Sequence, residues 1–188
     1  MTKKEKLAEL KKRMVEDKNL PLREGATQLV FGEGNPDAKI YFLGEAPGRI
    51  EDKTGRPFVG NSGKLLEKML ESIGLKREDI YISSVVRFRP PENRDPKPEE
   101  IAAFAPYVDE EIKIIDPKII VTLGRFSLGK FLPDAKISKV HGQVFKVSWQ
   151  GKERMVMPMF HPAAALRRQD VMVEFKKDFR VLKREYLF

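Results

Sequence analysis

The chain predicts a three-layer α/β/α sandwich around a four-stranded, mainly parallel sheet, and three observations carry that expectation. Apolar runs at residues 40–43, 80–86 and 118–123, and in the second arm of a hairpin within 144–159, are near-continuous rather than alternating. Strands buried on both faces require that pattern. Segments with helical spacing separate the runs, as a parallel sheet covered by helices demands. Each run also ends in residues that a plain reversal does not need: Gly44-Glu45-Ala46-Pro47-Gly48, Ser84 to Arg89, Gly124-Arg125 and Phe160-His161-Pro162. Ligands of open sheets bind beyond the carboxyl ends of the strands, so the four loops predict one site on one edge.

Taken in order, residues 3–17 form an amphipathic helix in which Leu7, Leu10 and Met14 recur at three or four and the outer face is basic. Residues 18–37 read as loop, and the first strand follows. Beyond the loop 46–60 a helix starts near Asn61 or Ser62, with Leu65, Leu66, Met69, Leu70 and Ile73 as its buried stripe and Gly74 at its end. The second strand runs into a proline-stiffened loop, 87–97, after which Pro98 suits the first turn of a helix reaching about 115. The third strand meets Gly124 and a helix over about 125–131. Gln150-Gly151-Lys152 interrupts 144–159 as the turn of a hairpin, and a helix over about 171–186 ends the chain. There is no internal repeat or low-complexity tract, and 188 residues at 41% hydrophobic can bury one substantial core. A single domain over 1–188, carrying the N-terminal helix, is therefore expected.

Composition narrows the function. No run of 18 apolar residues occurs, and Met1-Thr2-Lys3-Lys4-Glu5-Lys6 lacks the apolar segment of a signal peptide. A soluble, cytoplasmic protein without a membrane role is expected. A net charge of +8 favours a polyanionic partner. Charged residues at 34% together with zero cysteine fit a heat-adapted protein. Zero cysteine also excludes disulfides, thiolate metal sites and cysteine nucleophiles.

Several side chains at the predicted edge carry chemistry. Glu45 and Glu51 can orient water or stabilise a cation. Phe58, in a polar segment, either offers a flat face to a base or plugs the core; stacking is worth about 1 to 3 kcal/mol per base. His161 lies at a strand end before Pro162, where a neutral imidazole can donate a hydrogen bond to a developing anion. His141, before Gly142, reads as structural. Arg87, Arg89, Arg94, Arg167 and Arg168 either grip phosphates or line a solvated surface. Leu166 is either an apolar wedge that opens base steps or the first core residue of a short turn. Gly60-Asn61-Ser62-Gly63-Lys64 does not complete a nucleotide-hydrolysing phosphate loop, because Leu65 stands where Ser or Thr is required.

In combination, Gly44-Glu45-Ala46-Pro47-Gly48, residues 51–60 ending Arg56-Pro57-Phe58-Val59-Gly60, Arg89-Pro90-Pro91-Glu92-Asn93-Arg94 and His161-Pro162 resemble the uracil-DNA glycosylase superfamily, specifically its family 4. The likeness runs from about Pro21 to Arg168. It implies an enzyme that flips uracil, or a related deaminated base, out of DNA into the edge pocket, cuts its glycosidic bond and leaves an abasic site. Phe58 would stack on the base, amides near Glu45 and Ala46 would hold a uracil oxygen, and His161 would stabilise the departing anion. Glu51 would favour the cationic sugar and position water. Leu166 would fill the vacated stack, and Arg87, Arg89, Asn93, Arg94, Arg167 and Arg168 would hold the DNA. A monomer with no metal and no cofactor is implied, associated with the nucleoid through DNA.

The chain departs from that pattern twice. The family carries four cysteines that hold an iron-sulfur cluster, and the matching positions here are Asp17, Leu20, Phe88 and Phe104, so no cluster of that kind can form. Packing is expected to fill the space. The family's uracil-reading asparagine is matched by Ser84, whose single hydroxyl cannot present an amide's donor and acceptor pair. Weak activity, another damaged base, or a protein that only binds DNA or an extruded base all follow from that change. Ala46 stands where other branches of the superfamily place a water-activating aspartate, and family 4 tolerates a small residue there.

Overall fold

A computed structural model describes residues 1–187. At the centre lies a sheet with the order β1-β3-β2-β4-β6-β5. Its four inner strands, β2 (Ile40–Gly44), β3 (Tyr81–Ser84), β4 (Ile119–Leu123) and β6 (Lys152–Met159), pair in parallel. Every residue of β2, β3 and β4 is buried, the polar Ser83, Ser84 and Thr122 included, which is why apolar residues in these runs do not alternate with solvated ones.

The sheet has six strands, not the four expected. β1 (Glu33–Gly34) pairs antiparallel with β3, and two residues without an apolar side chain leave no periodicity to read. β5 (Phe145–Trp149) is the first arm of the expected hairpin and pairs antiparallel with β6. Among the described residues neither edge strand is fully buried, so neither carries the signature by which the inner strands were counted.

Side chains alternate across the sheet. Ile40, Phe42, Ile82, Val121 and Met157 face a layer built from α3 (Asn61–Ser72), α7 (Pro162–Arg167) and α8 (Gln169–Tyr186). Tyr41, Leu43, Tyr81, Ile120 and Val156 face α1 (Lys3–Glu16), α4 (Pro98–Ile115) and α5 (Arg125–Phe131). The short helices α2 (Arg49–Thr54) and α6 (Ile137–Val140) sit in the connecting loops. Leu7, Leu10 and Met14 are the buried face of α1, and Thr2 closes its N-terminus through a capping box with Glu5.

One polar group crosses the second layer. Arg87, in the segment leaving β3, is fully buried and forms two hydrogen bonds with the equally buried Glu111 of α4, Nη1 to Oε2 at 3.1 Å and Nη2 to Oε1 at 2.8 Å. Its Nε donates to the Ser84 carbonyl at 2.7 Å, and the Tyr41 hydroxyl donates to Glu111 Oε1 at 2.5 Å. Arg87 was expected to grip DNA; instead its guanidinium is consumed in the core, out of reach of any phosphate. Glu111→Ala would leave that cation buried and unpaired, and a loss of about 3 to 5 kcal/mol is expected. Urea unfolding of the two proteins measures it.

Candidate functional site

All four loops that follow the parallel strands line one cavity of about 600 Å³, with Glu45, Phe58, Ser84, Gly124 and His161 among its walls. The predicted convergence at the carboxyl edge is what the structure contains. Phe58 is held in the left-handed region at φ 50°, strained for an aromatic residue, and three contacts fix it there. Gly44 lies against its ring and Gly63 against its carbonyl, each so close that a Cβ would collide. Arg77 donates to the carbonyls of Pro57 and Phe58, the latter at 2.7 Å. Phe58 is only 6% exposed, yet it lines the cavity, so it both plugs the core and forms part of the cavity wall.

Six ångströms away, at 31° to the Phe58 ring, stands the imidazole of His161. It caps α7: Nδ1 accepts a hydrogen bond from the Ala163 amide at 3.1 Å, and Pro162 preorganises the first turn. An accepting Nδ1 assigns the ring proton to Nε2, leaving that N–H as the donor available to a ligand. Burial, reinforced by Arg167 and opposed by Glu51, lowers the imidazole from its usual range to about 4. The group is therefore a neutral donor near pH 7.

Glu51 closes the loop between α2 and α3. Its Oε1 accepts from the amides of Val59 at 3.2 Å and Gly60 at 2.9 Å, and a side chain at Gly48 would crowd Oε2. Glu45 differs: burial, with the Asp95 carboxylate adding to it and Arg125 and Arg167 opposing, pushes its carboxyl up to about 7. Near neutrality Glu45 divides between acceptor-only and donor-bearing forms. Ser84 ends β3 at 6% exposure and lines the same cavity, and Ala46 borders it.

The basic residues do not behave alike. Arg94 is held by Glu100 at 2.9 and 2.7 Å, and Arg168 by Asp170. Arg89 donates to Asn93 Oδ1 at 2.7 Å. Asn93, Arg94 and Arg167 line the cavity. Leu166 lies on the helix α7 rather than in a loop, and 48% of it is exposed.

The positions matched to cluster cysteines do not fit a metal group. Leu20, Phe88 and Phe104 belong to one buried cluster, with the two rings 6.1 Å apart. Asp17 accepts from the Tyr107 hydroxyl at 2.7 Å. Arg23 lies over the Phe88 ring at 5.1 Å and donates to the carbonyls of Met14, Val15 and Asp17. Among the described residues no group of three His, Cys, Asp or Glu side chains could hold a metal ion.

Sequence reasoning missed Arg77, Glu111, Asp95 and Arg125, because each acts through a contact made at long range in the chain. Only Arg125 carried a signal, its place beside Gly124 at a strand end.

The cavity beyond the carboxyl ends of the parallel strands thus brings an aromatic ring, a neutral imidazole and two carboxyl groups together. The profile of the uracil DNA glycosylase superfamily matches residues 31–183. The Type-4 uracil-DNA glycosylase of Sulfurisphaera tokodaii is 44% identical over 183 residues, covering 94% of this chain and 83% of the relative. The Type-4 uracil-DNA glycosylase of Archaeoglobus fulgidus is 43% identical over 181 residues, 94% and 91% of the two chains. That of Thermotoga maritima is 44% identical over 173 residues, 88% of each. The chain belongs to the uracil-DNA glycosylase superfamily.

Two measurements check the geometry. Because the folded value of His161 lies below the unfolded one of about 6.5, its contribution to stability is present above about pH 6.5 and lost as pH falls through 4. An NMR titration should place the midpoint near 4; a midpoint near 6.5 would show an imidazole open to water. Phe104→Ala should cost about 3 to 5 kcal/mol with the packing of the cysteine-free corner, read as a fall in Tm.

Proposed function

We propose that the chain is a monofunctional DNA glycosylase that hydrolyses the N-glycosidic bond of uracil, or a related deaminated base, flipped out of DNA. The product is an abasic site for base excision repair. The observation that carries the reading is the neutral, Nε2-protonated His161 facing the same cavity as Phe58 and Glu51.

The base enters edge-on and stacks on Phe58, with the amides near Glu45 and Ala46 directed at one of its oxygens. As the bond from the sugar to the base nitrogen breaks, the electron pair leaves with the base. His161 donates a hydrogen bond to the resulting anion, and being neutral it does so without first losing a charge. The sugar becomes cationic; Glu51, already aligned by two loop amides, stabilises it and orients the water whose oxygen bonds to the sugar carbon. Leu166, exposed on α7, takes the place of the extruded base. Arg89, Asn93, Arg94, Arg167 and Arg168 hold the backbone. The protein acts on DNA as a single domain and a monomer, inside the cell and without a metal or cofactor.

Ser84 favours a second reading in which the fold binds DNA and turns over slowly. Losing an amide's paired hydrogen bonds in a buried site costs about 1 to 3 kcal/mol. Labelled duplexes carrying uracil, hypoxanthine, xanthine or no lesion, cleaved with alkali after incubation, separate the two. Uracil-dependent cleavage that falls about 100- to 1000-fold in His161→Ala, and is lost in Glu51→Ala, is expected. Ser84→Asn should raise uracil excision about 10-fold or more. Tight, salt-sensitive binding without product would favour the second reading.

A further inference from the structure

Behind the strand end that bears His161 lies a second imidazole. His141 closes α6, and its Nδ1 sits 2.9 Å from Oδ2 of Asp178 on α8. The opposite side of the same ring packs on Phe160 at 4.5 Å between centroids, the closest aromatic pair among the described residues. Phe160 immediately precedes His161 and itself lines the cavity.

The arrangement is pinned on both flanks. The Gly142 amide donates to the Pro158 carbonyl of β6 at 2.8 Å, two residues before Phe160. Gly142 has φ 74°, and a Cβ there would collide with Asp178 Oδ1. Only glycine permits that approach. Asp178 is 4% exposed, and burial pushes its carboxyl up to about 6 against the hydrogen bond from His141. A carboxyl kept at such a site is out of place in an apolar layer of Phe175, Phe179 and Leu182 unless its partner matters.

We infer that His141 and Asp178 are positioning residues: the hydrogen-bonded imidazole and carboxylate hold the Phe160 ring, and through it the orientation of His161 in the cavity. The inference rests on the reading of His161 as the donor to the departing base. It assigns a role to a histidine that the sequence presents as merely structural. The physical reason is geometric. His161 lies two residues beyond the end of β6, where the ladder no longer holds the chain and only the cap of α7 does, and here the ring before it packs on His141. Misplacement by about 1 Å can lower a rate by about 100-fold.

The test uses the full chain and two readouts. In His141→Leu the single-turnover rate of uracil excision should fall about 10- to 100-fold, with affinity for uracil-containing duplex changed less than about 2-fold. Asp178→Leu should match it, and Asp178→Asn, which keeps an oxygen for His141 Nδ1–H to reach, should recover most of the rate. Independently of any activity, ¹⁵N shifts of the His161 ring should show one tautomer in the parent protein and a mixture in His141→Leu. Unchanged His161 shifts, or a fall in Tm with the rate intact, would overturn the inference. If His141→Leu does not fold, the Asp178→Asn and Asp178→Leu pair decides by the same readouts. A parent protein that cuts no uracil would remove the glycosylase reading, while the His161 shifts would still decide whether the pair positions that ring.

Discussion

The Arg87–Glu111 ion pair is the constraint on which the edge of the sheet depends. It ties the segment leaving β3 to α4, and the same guanidinium holds the Ser84 carbonyl, so one buried group sets both the packing of a layer and the place of a cavity wall. Taking two charges out of water is costly, and a hydrophobic replacement of equal volume is often no less stable. What the pair supplies is direction. A guanidinium fork bound in two places to one carboxylate admits a single geometry, and Tyr41 and Tyr81 complete it. Burial, with the Glu111 carboxylate adding to it, raises the Tyr41 hydroxyl well above its ordinary range, so Tyr41 remains a donor and the carboxylate stays satisfied.

The site applies the same logic with backbone groups. Glu51 is fixed by two amides, Phe58 by two glycines and a guanidinium, His161 by one amide and a proline. None of the three relies on a long flexible side chain finding its own place. Glu45 is the exception: its carboxyl answers to Asp95, Arg125 and Arg167, all of them charges near the mouth of the cavity.

How far these features could be read from the chain depends on the range over which each one acts. The inner strands, the five longer helices and the convergence of four loops were legible, since burial on both faces and capping write themselves into neighbouring residues, whereas the short helices α2, α6 and α7 were not. Phe58 offered two readings, and it is both buried in the core and part of the cavity wall. Arg87 was misread: an arginine in a proline-rich loop looks solvated until Glu111, twenty-four residues later, is folded against it. Leu166 was read as a wedge or as a turn residue, not as helix, because the six residues of Pro162–Arg167 are too short to show a period. Strand β1 escaped for want of an apolar run, and β5, read as the first arm of a hairpin, was not counted into the sheet.

The two departures from the family pattern meet in one five-residue segment. Ser84 stands at its start, Phe88 at its end, and Arg87 anchors it between them. Three backbone hydrogen bonds hold the segment, from Val85 to the Gly44 carbonyl at 3.1 Å, from Val86 to the Glu45 carbonyl at 3.2 Å, and from Val30 to the Arg87 carbonyl at 2.8 Å. A change at Phe88 must therefore move a backbone that is already fixed to β2 and to the core before it reaches Ser84. Aromatic packing with Phe104, the Asp17–Tyr107 hydrogen bond and the Arg23 guanidinium occupy the corner matched to the family's cysteines. The packing of that corner and the Ser84 wall of the cavity are therefore set by different contacts, the first by side chains of the second layer and the second by the hydrogen bond from Arg87 to the Ser84 carbonyl.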